Sequence, residues 1–202
     1  MPTYWKEASK FLTEKDPILG KIIQEYKGES LRSREDLFYT LIRSIAGQQI
    51  SVKAADSVWA RLMEKAGEIR AEKLLSLSSE ELFSVGLSRR KVEYIQGISK
   101  EGERLAQIEW QNLDDAQVIK ELTALRGVGE WTAQMVMIFA LCRPDILPLA
   151  DIGLLRAVEK QYAKGERLPV DEVERIAEAW RPWRSVATWY LWRDLDPVPV
   201  EY

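Results

Sequence analysis

LRGVGEWTAQM, residues 125–135, decides how the chain reads. Upstream, residues 114–125 put Val118, Leu122 and Leu125 on one helical face, and downstream Val136, Phe139 and Ala140 recur at similar spacing. Between the two stretches stand Arg126, Gly127, Val128 and Gly129, with Trp131 where the second helix begins. Two helices and so short a turn make a helical hairpin over about 114–142. A bare Gly-x-Gly turn is compatible with an ordinary corner between helices. It also has the makings of an anion site. Glycine permits close backbone approach, the first amides of the Glu130 helix lack intrahelical partners, and Thr132 adds a hydroxyl. Such a turn grips a phosphate without an excess of positive charge, which suits a chain of net charge -3.

Composition narrows what such a site does. With one cysteine, Cys142, and no histidine, the chain has no disulfide framework, zinc site, Cys-ligated iron-sulfur cluster or Ser-His or Cys-His pair. Acid and base roles fall to carboxylates, lysines and tyrosines. The opening MPTYWKEASK has no apolar run of the signal-peptide kind, and the longest apolar run, Met135 to Cys142, is far short of a membrane span. The expectation is a soluble, cytoplasmic protein without membrane contact, large enough at 202 residues to bury a full core. Eight tryptophans stand out, and Trp180, Trp183, Trp189 and Trp192 crowd one C-terminal stretch.

Strand signals are nearly absent, whereas apolar residues recur at three and four along the chain, so the fold class is all-α. The pattern predicts helices that include 34–47, 51–66, 88–107, 130–142, 152–162 and 183–195. Ser33 with Asp36, and Ser78 with Glu81, have the spacing of capping boxes, and Asp114 and Asp171 are placed to start helices. Asp151 precedes the periodic Ile152, Leu155 and Val158, which marks it as an N-cap. A helix N-terminus also favours a negative charge, so the same carboxylate suits a role facing positive charge.

Four blocks in this order resemble one family: IAGQQISVKAA at 45–55, LRGVGEWTAQM at 125–135, LPLADIGLLRAV at 147–158 and WRPWRSVATWYLW at 180–192. Over roughly residues 10–195 the chain resembles the helix-hairpin-helix DNA glycosylase superfamily, in its 3-methyladenine DNA glycosylase II branch. The resemblance implies two helical lobes without an iron-sulfur cluster. Residues 30–145 would form a central bundle bearing the hairpin, and 1–29 with 146–202 a second lobe built from both chain ends. The β-rich N-terminal domain of larger bacterial members is expected to be lacking.

The resemblance also implies roles. Asp151, 20 residues after Trp131, matches the family's catalytic aspartate. A fixed carboxylate about 4 Å from a developing oxocarbenium ion contributes about 4 kcal/mol at an effective dielectric of 20. It also serves to orient or deprotonate water. Trp131 stands where lyase-active members carry a nucleophilic lysine, which implies a monofunctional hydrolase that leaves an abasic site. The base pocket would comprise Trp131, Met135 (commonly tyrosine), Trp192, Trp189 and Tyr190, and the wedge that fills the emptied stack Gln48, Gln49 and Ile50, with Gln49 at the inserted position. The DNA backbone would meet Gly127, Val128, Gly129, Thr132, Lys53, Arg89, Arg90 and Lys91. Main-chain carbonyls of Thr123, Leu125 and Val128 would hold a structural Na+ or K+, and no cofactor is required for the chemistry. Arg126 departs from the usual proline, and Arg184 is expected to brace the C-terminal helices.

Alkylated purines such as 3-methyladenine and 7-methylguanine are the expected bases. They carry positive charge and leave without a protein acid, and indoles attract cations. The expected partner is therefore double-stranded DNA with alkylated bases, met by a monomer at the nucleoid. Two alternatives stay open at this point: a noncatalytic DNA-binding helix-hairpin-helix module, and a glycosylase for uracil, deaminated or mismatched bases on the same fold.

Overall fold

In a computed structural model, which describes residues 1–33 and 36–196, every regular element is helical, as the period of the apolar residues requires. In chain order the α-helices are α1 (Trp5–Lys15), α2 (Pro17–Glu25), α3 (Leu37–Gly47), α4 (Val52–Ala66), α5 (Ala71–Ser76), α6 (Ser79–Ser84), α7 (Arg89–Lys100), α8 (Gly102–Gln107), α9 (Asp115–Thr123), α10 (Glu130–Phe139), α11 (Ile152–Tyr162), α12 (Val170–Ala177) and α13 (Arg184–Leu195). The described chain divides into two compact units, residues 1–33 with 137–196 and residues 36–136. The boundary falls within α10, whereas the sequence reading put it near 145.

The first unit is organised by α13, whose residues Ser185 through Trp192 are all buried. A helix enclosed on every side needs apolar residues all round, which is what SVATWYLW provides. It packs on α11, α2 and α1. Trp5 of α1 meets the edge of Trp189 and lies against Tyr190, whose hydroxyl accepts the Trp5 indole N–H at 3.2 Å. Asp16 caps α2 and also accepts from Tyr162 and Trp180.

In the second unit α3 packs on α4 and α7, and α5 on α7, around Leu41, Ile42, Ile45, Leu62, Leu74, Leu82 and Ile95. Capping fixes most starts. Ser51 caps α4, Ser88 caps α7, and Ser78 with Glu81 and Asp114 with Gln117 form reciprocal boxes.

Four expectations about elements change. The helix foreseen from 34 begins at Leu37, because Asp36 itself caps α3 by accepting from Tyr39; positions 34 and 35 lie outside the described residues. The long helix over 88–107 is two, α7 and α8, which divide at Glu101; a Cβ at Gly102 would lie 2.4 Å from that of Ala71. The helix expected to reach Cys142 stops at Phe139, and Cys142 has a positive φ of 52°. Asp171 lies inside the first turn of α12, whose cap is Pro169.

Candidate functional site

The two hairpin glycines differ. Gly127 has φ 92°, and a Cβ there would lie 2.3 Å from the Tyr94 ring, so conformation and space both exclude a side chain. A Cβ on Gly129 would meet nothing within 4 Å. The first glycine turns the chain, and the second leaves the start of α10 open to approach. Between them Val128 is buried, and its amide donates to the Leu125 carbonyl at 3.1 Å. The Arg126 guanidinium lies over the Tyr94 ring at 5.9 Å and pairs with Glu93 at 3.2 Å. Trp131 is half-buried in the first turn of α10, while Met135, one turn on, is only 1% exposed and offers a ligand almost no surface.

Two residues expected to meet DNA are spent inside the protein. The Gln48 carboxamide nitrogen donates to the Gly127 carbonyl at 3.1 Å and to the Thr132 hydroxyl oxygen at 3.0 Å. Gln48 is therefore a strut from the α3–α4 turn to the hairpin, a correction to its place in the wedge. Thr132 accepts the Gln48 amide and is only 2% exposed, and that burial keeps its hydroxyl from an approaching phosphate. The tip of the same turn is open: Gln49 is exposed with φ 57°, and Ile50 is 41% exposed.

The basic residues also separate. Lys53, Arg89 and Arg90 are exposed. Lys91 is half-buried, and its ammonium donates to the Ala46 carbonyl at 2.8 Å, where it caps the C-terminal end of α3. Burial holds its pKa below the usual lysine value. Its part is structural, another correction to the expected backbone contacts.

In the first unit, Asp151 is half-buried at the N-cap of α11. Its Oδ1 accepts from the Leu154 amide at 2.7 Å and from the Trp192 indole Nε1 at 2.8 Å. Two donors on one oxygen fix the rotamer of the carboxylate. Trp192 in turn lies parallel to Phe139, with centroids 5.9 Å apart and planes 10° apart. A Cβ on Gly153 would lie 3.0 Å from Asp151 Oδ1 and 3.4 Å from the Trp192 ring, so a side chain there presses on both. The expected aromatic wall shrinks accordingly: Trp189 and Tyr190 point into the core against Trp5, because successive residues of a fully enclosed helix face different neighbours.

The segment leading to Asp151 is pinned to the start of α13. Arg184 holds the Asp145 carboxylate at 2.7 and 3.1 Å, Arg181 adds a bond at 2.8 Å, and the Ser185 hydroxyl donates to the Arg143 carbonyl while accepting the Ile146 amide. Sequence reasoning identified Arg184 as a brace and missed Asp145, Ser185, Gly153 and Phe139. The available signal was a lone acidic residue ahead of the Leu-Pro-Leu-Ala-Asp block, facing an Arg-rich one.

Among the described residues no cluster of His, Cys, Asp and Glu is arranged to hold a metal ion, and no helix is long and apolar enough to cross a membrane.

A family model described as HhH-GPD superfamily base excision DNA repair protein matches residues 42–182. The DNA-3-methyladenine glycosylase of Bacillus subtilis is 29% identical over 203 residues, which cover 91% of this chain and 65% of that protein. A crystal structure of a DNA-3-methyladenine glycosidase from Bacillus halodurans is 34% identical, with a TM-score of 0.76 over 93% of this chain and 88% of that one. The Schizosaccharomyces pombe 3-methyladenine DNA glycosylase, solved in complex with abasic DNA, shares the fold at a TM-score of 0.84 and 24% identity, over 93% of this chain and 95% of that one. The chain spans just under two thirds of the length of the Bacillus subtilis relatives it matches. The fold is all-helical, the Gly-Val-Gly hairpin and the capped aspartate lie inside the matched span, and the chain belongs to the HhH-GPD superfamily of base excision DNA repair proteins.

Proposed function

We propose that the protein is a monofunctional DNA glycosylase that hydrolyses the N-glycosidic bond of alkylated purines, 3-methyladenine and 7-methylguanine among them, and leaves an abasic site in double-stranded DNA. The observation that carries this reading is the Asp151 carboxylate, held by the Leu154 amide and the Trp192 indole yet half-buried rather than sealed. The names of its relatives support the same chemistry.

As the base departs, positive charge grows on the sugar, and a carboxylate already fixed in orientation stabilises it without reorganising. The same group orients the water that attacks C1′ and takes up its proton, while the electron pair of the broken C–N bond leaves with the base. An alkylated purine is cationic before cleavage and neutral after it, so departure needs no proton from the protein, which suits a chain without histidine. Trp131 stands where a lysine would be needed for lyase chemistry, and an indole forms no Schiff base.

The target nucleotide leaves the stack at a cost of a few kcal/mol. We assign the filling of the gap to Gln49 and Ile50, the exposed tip of the α3–α4 turn. Gly129 and the first amides of α10 meet a backbone phosphate, with Lys53, Arg89 and Arg90 as exposed cations for its neighbours. The proposal includes Na+ or K+ on the carbonyls of Thr123, Leu125 and Val128; the Leu125 carbonyl accepts one amide and retains a second lone pair for it. Such a cation would add positive charge at the same phosphate. The protein acts as a monomer in the nucleoid-bearing compartment.

The test is excision from methylated duplex DNA by the wild type and Asp151→Asn, read across 3-methyladenine, 7-methylguanine, ethenoadenine, hypoxanthine and uracil. Activity on the methylated purines in the wild type alone supports the reading. Equal inactivity of both proteins with intact duplex binding would make this a noncatalytic binder, and release of uracil alone would reassign the substrate. Covalent trapping by borohydride would overturn the monofunctional assignment.

A further inference from the structure

The turn between α3 and α4 carries Gln49 in the left-handed region, a conformation that a residue with a Cβ keeps only where its surroundings impose it. Three contacts impose it here. Lys91 of α7 holds the Ala46 carbonyl at the end of α3. Arg43 of α3 pairs with Asp56 of α4. The third contact leaves the turn altogether: Gln48 donates through one nitrogen to the Gly127 carbonyl and the Thr132 hydroxyl oxygen, at 3.1 and 3.0 Å. These two acceptors lie on either side of Gly129, the part of the hairpin that stays open. Thr132 is buried, so water does not compete for that bond.

Resting on the glycosylase reading, we infer that Gln48 is a positioning residue that fixes the exposed Gln49-Ile50 tip against the phosphate-gripping hairpin. Gln48 touches no DNA in this role. Its two bonds hold the tip at a set distance from the hairpin, so that a phosphate gripped at Gly129 places the tip in register with the base pair to be opened. Without the strut, binding at the hairpin persists but no longer drives the tip into the duplex. The loss falls on the opening of a base pair and spares bond cleavage once the base is out.

Two variants test this. Gln48→Met keeps the length and loses the donor, and Thr132→Val keeps the shape and loses one acceptor. Single-turnover excision of 7-methylguanine is measured from three DNAs: the lesion paired with cytosine, the lesion opposite an abasic site, and the lesion in a single strand. Gln48→Met is expected to slow excision from the paired duplex by about tenfold and from the other two DNAs by less than about twofold. Thr132→Val slows the paired duplex less, and the double variant is no slower than Gln48→Met, since one amide makes both bonds. An equal loss on all three DNAs, the mark of general damage to the fold, overturns the inference, and so do unchanged rates on all three. If the unaltered protein excises the lesion from none of them, the glycosylase reading itself fails.

Discussion

Asp16 and Asp151 are built from the same parts and differ in what surrounds them. Each is the N-cap of a helix, and each accepts the indole N–H of a tryptophan from the C-terminal stretch, Trp180 for Asp16 and Trp192 for Asp151. Asp16 is 8% exposed, with two amides on Oδ1 and the Tyr162 hydroxyl and Trp180 indole on Oδ2. Burial, and next the bond to Asp16, raise the Tyr162 pKa well above the usual phenol range, so that hydroxyl stays a donor. Asp151 is half-buried, and its Oδ1 accepts the Leu154 amide and the Trp192 indole. A capping aspartate with an indole partner is thus no mark of a reactive site by itself. Access separates a carboxylate that knots a core together from one left open for the role proposed for Asp151.

The largest effects are expected at the two carboxylates themselves. Asp151→Asn should lower single-turnover excision by about a thousandfold, the equivalent of about 4 kcal/mol, while the melting temperature moves by no more than a few degrees. Asp16→Asn should do the reverse: a loss of about 3 kcal/mol in denaturant unfolding, with excision at low temperature near the wild-type rate. If both variants lost activity and stability together, the two sites would not be separable in this way.

The supports of Asp151 give smaller effects. Gly153→Ala crowds Oδ1 and the Trp192 ring but adds a better helix former, so excision should fall by about tenfold while stability holds or rises by up to about 1 kcal/mol. Trp192→Phe keeps most of the ring surface and removes one donor. It should cost about fivefold in kcat, corresponding to about 1 kcal/mol. A larger change in KM than in kcat would instead mean that this ring holds the base. Smallest of all, Arg126→Ala removes a highly exposed ion pair and should leave unfolding within about 0.5 kcal/mol of the wild type.

Much of this was legible in the sequence where the cause is local. Helical spacing gave the all-α class, and Asp151 and Ser78 were readable as caps because a cap and its helix are neighbours in the chain. The misreadings share a longer reach. Gln48 finds its partners 79 and 84 residues away, and Lys91 its carbonyl 45 away, so neither shows in the local pattern. Gly102 resembles an ordinary mid-helix glycine until Ala71 is brought against it. In α13 periodicity has no face to report, since a segment apolar all round does not say which aromatic meets which neighbour. The hairpin lies between these cases. Its glycines announced a turn, but only the ring of Tyr94 distinguishes the one that must be glycine for space from the one that leaves room.

The enclosure of α13 has a consequence for redesign. From Ser185 to Trp192 there is no outward-facing position, so a library randomised there would sort its members by whether they fold before any difference in lesion choice became visible. Diversity placed at the solvent-facing Gln49, Ile50 and Val52 would leave the scaffold intact and let selection act on how the protein engages its target.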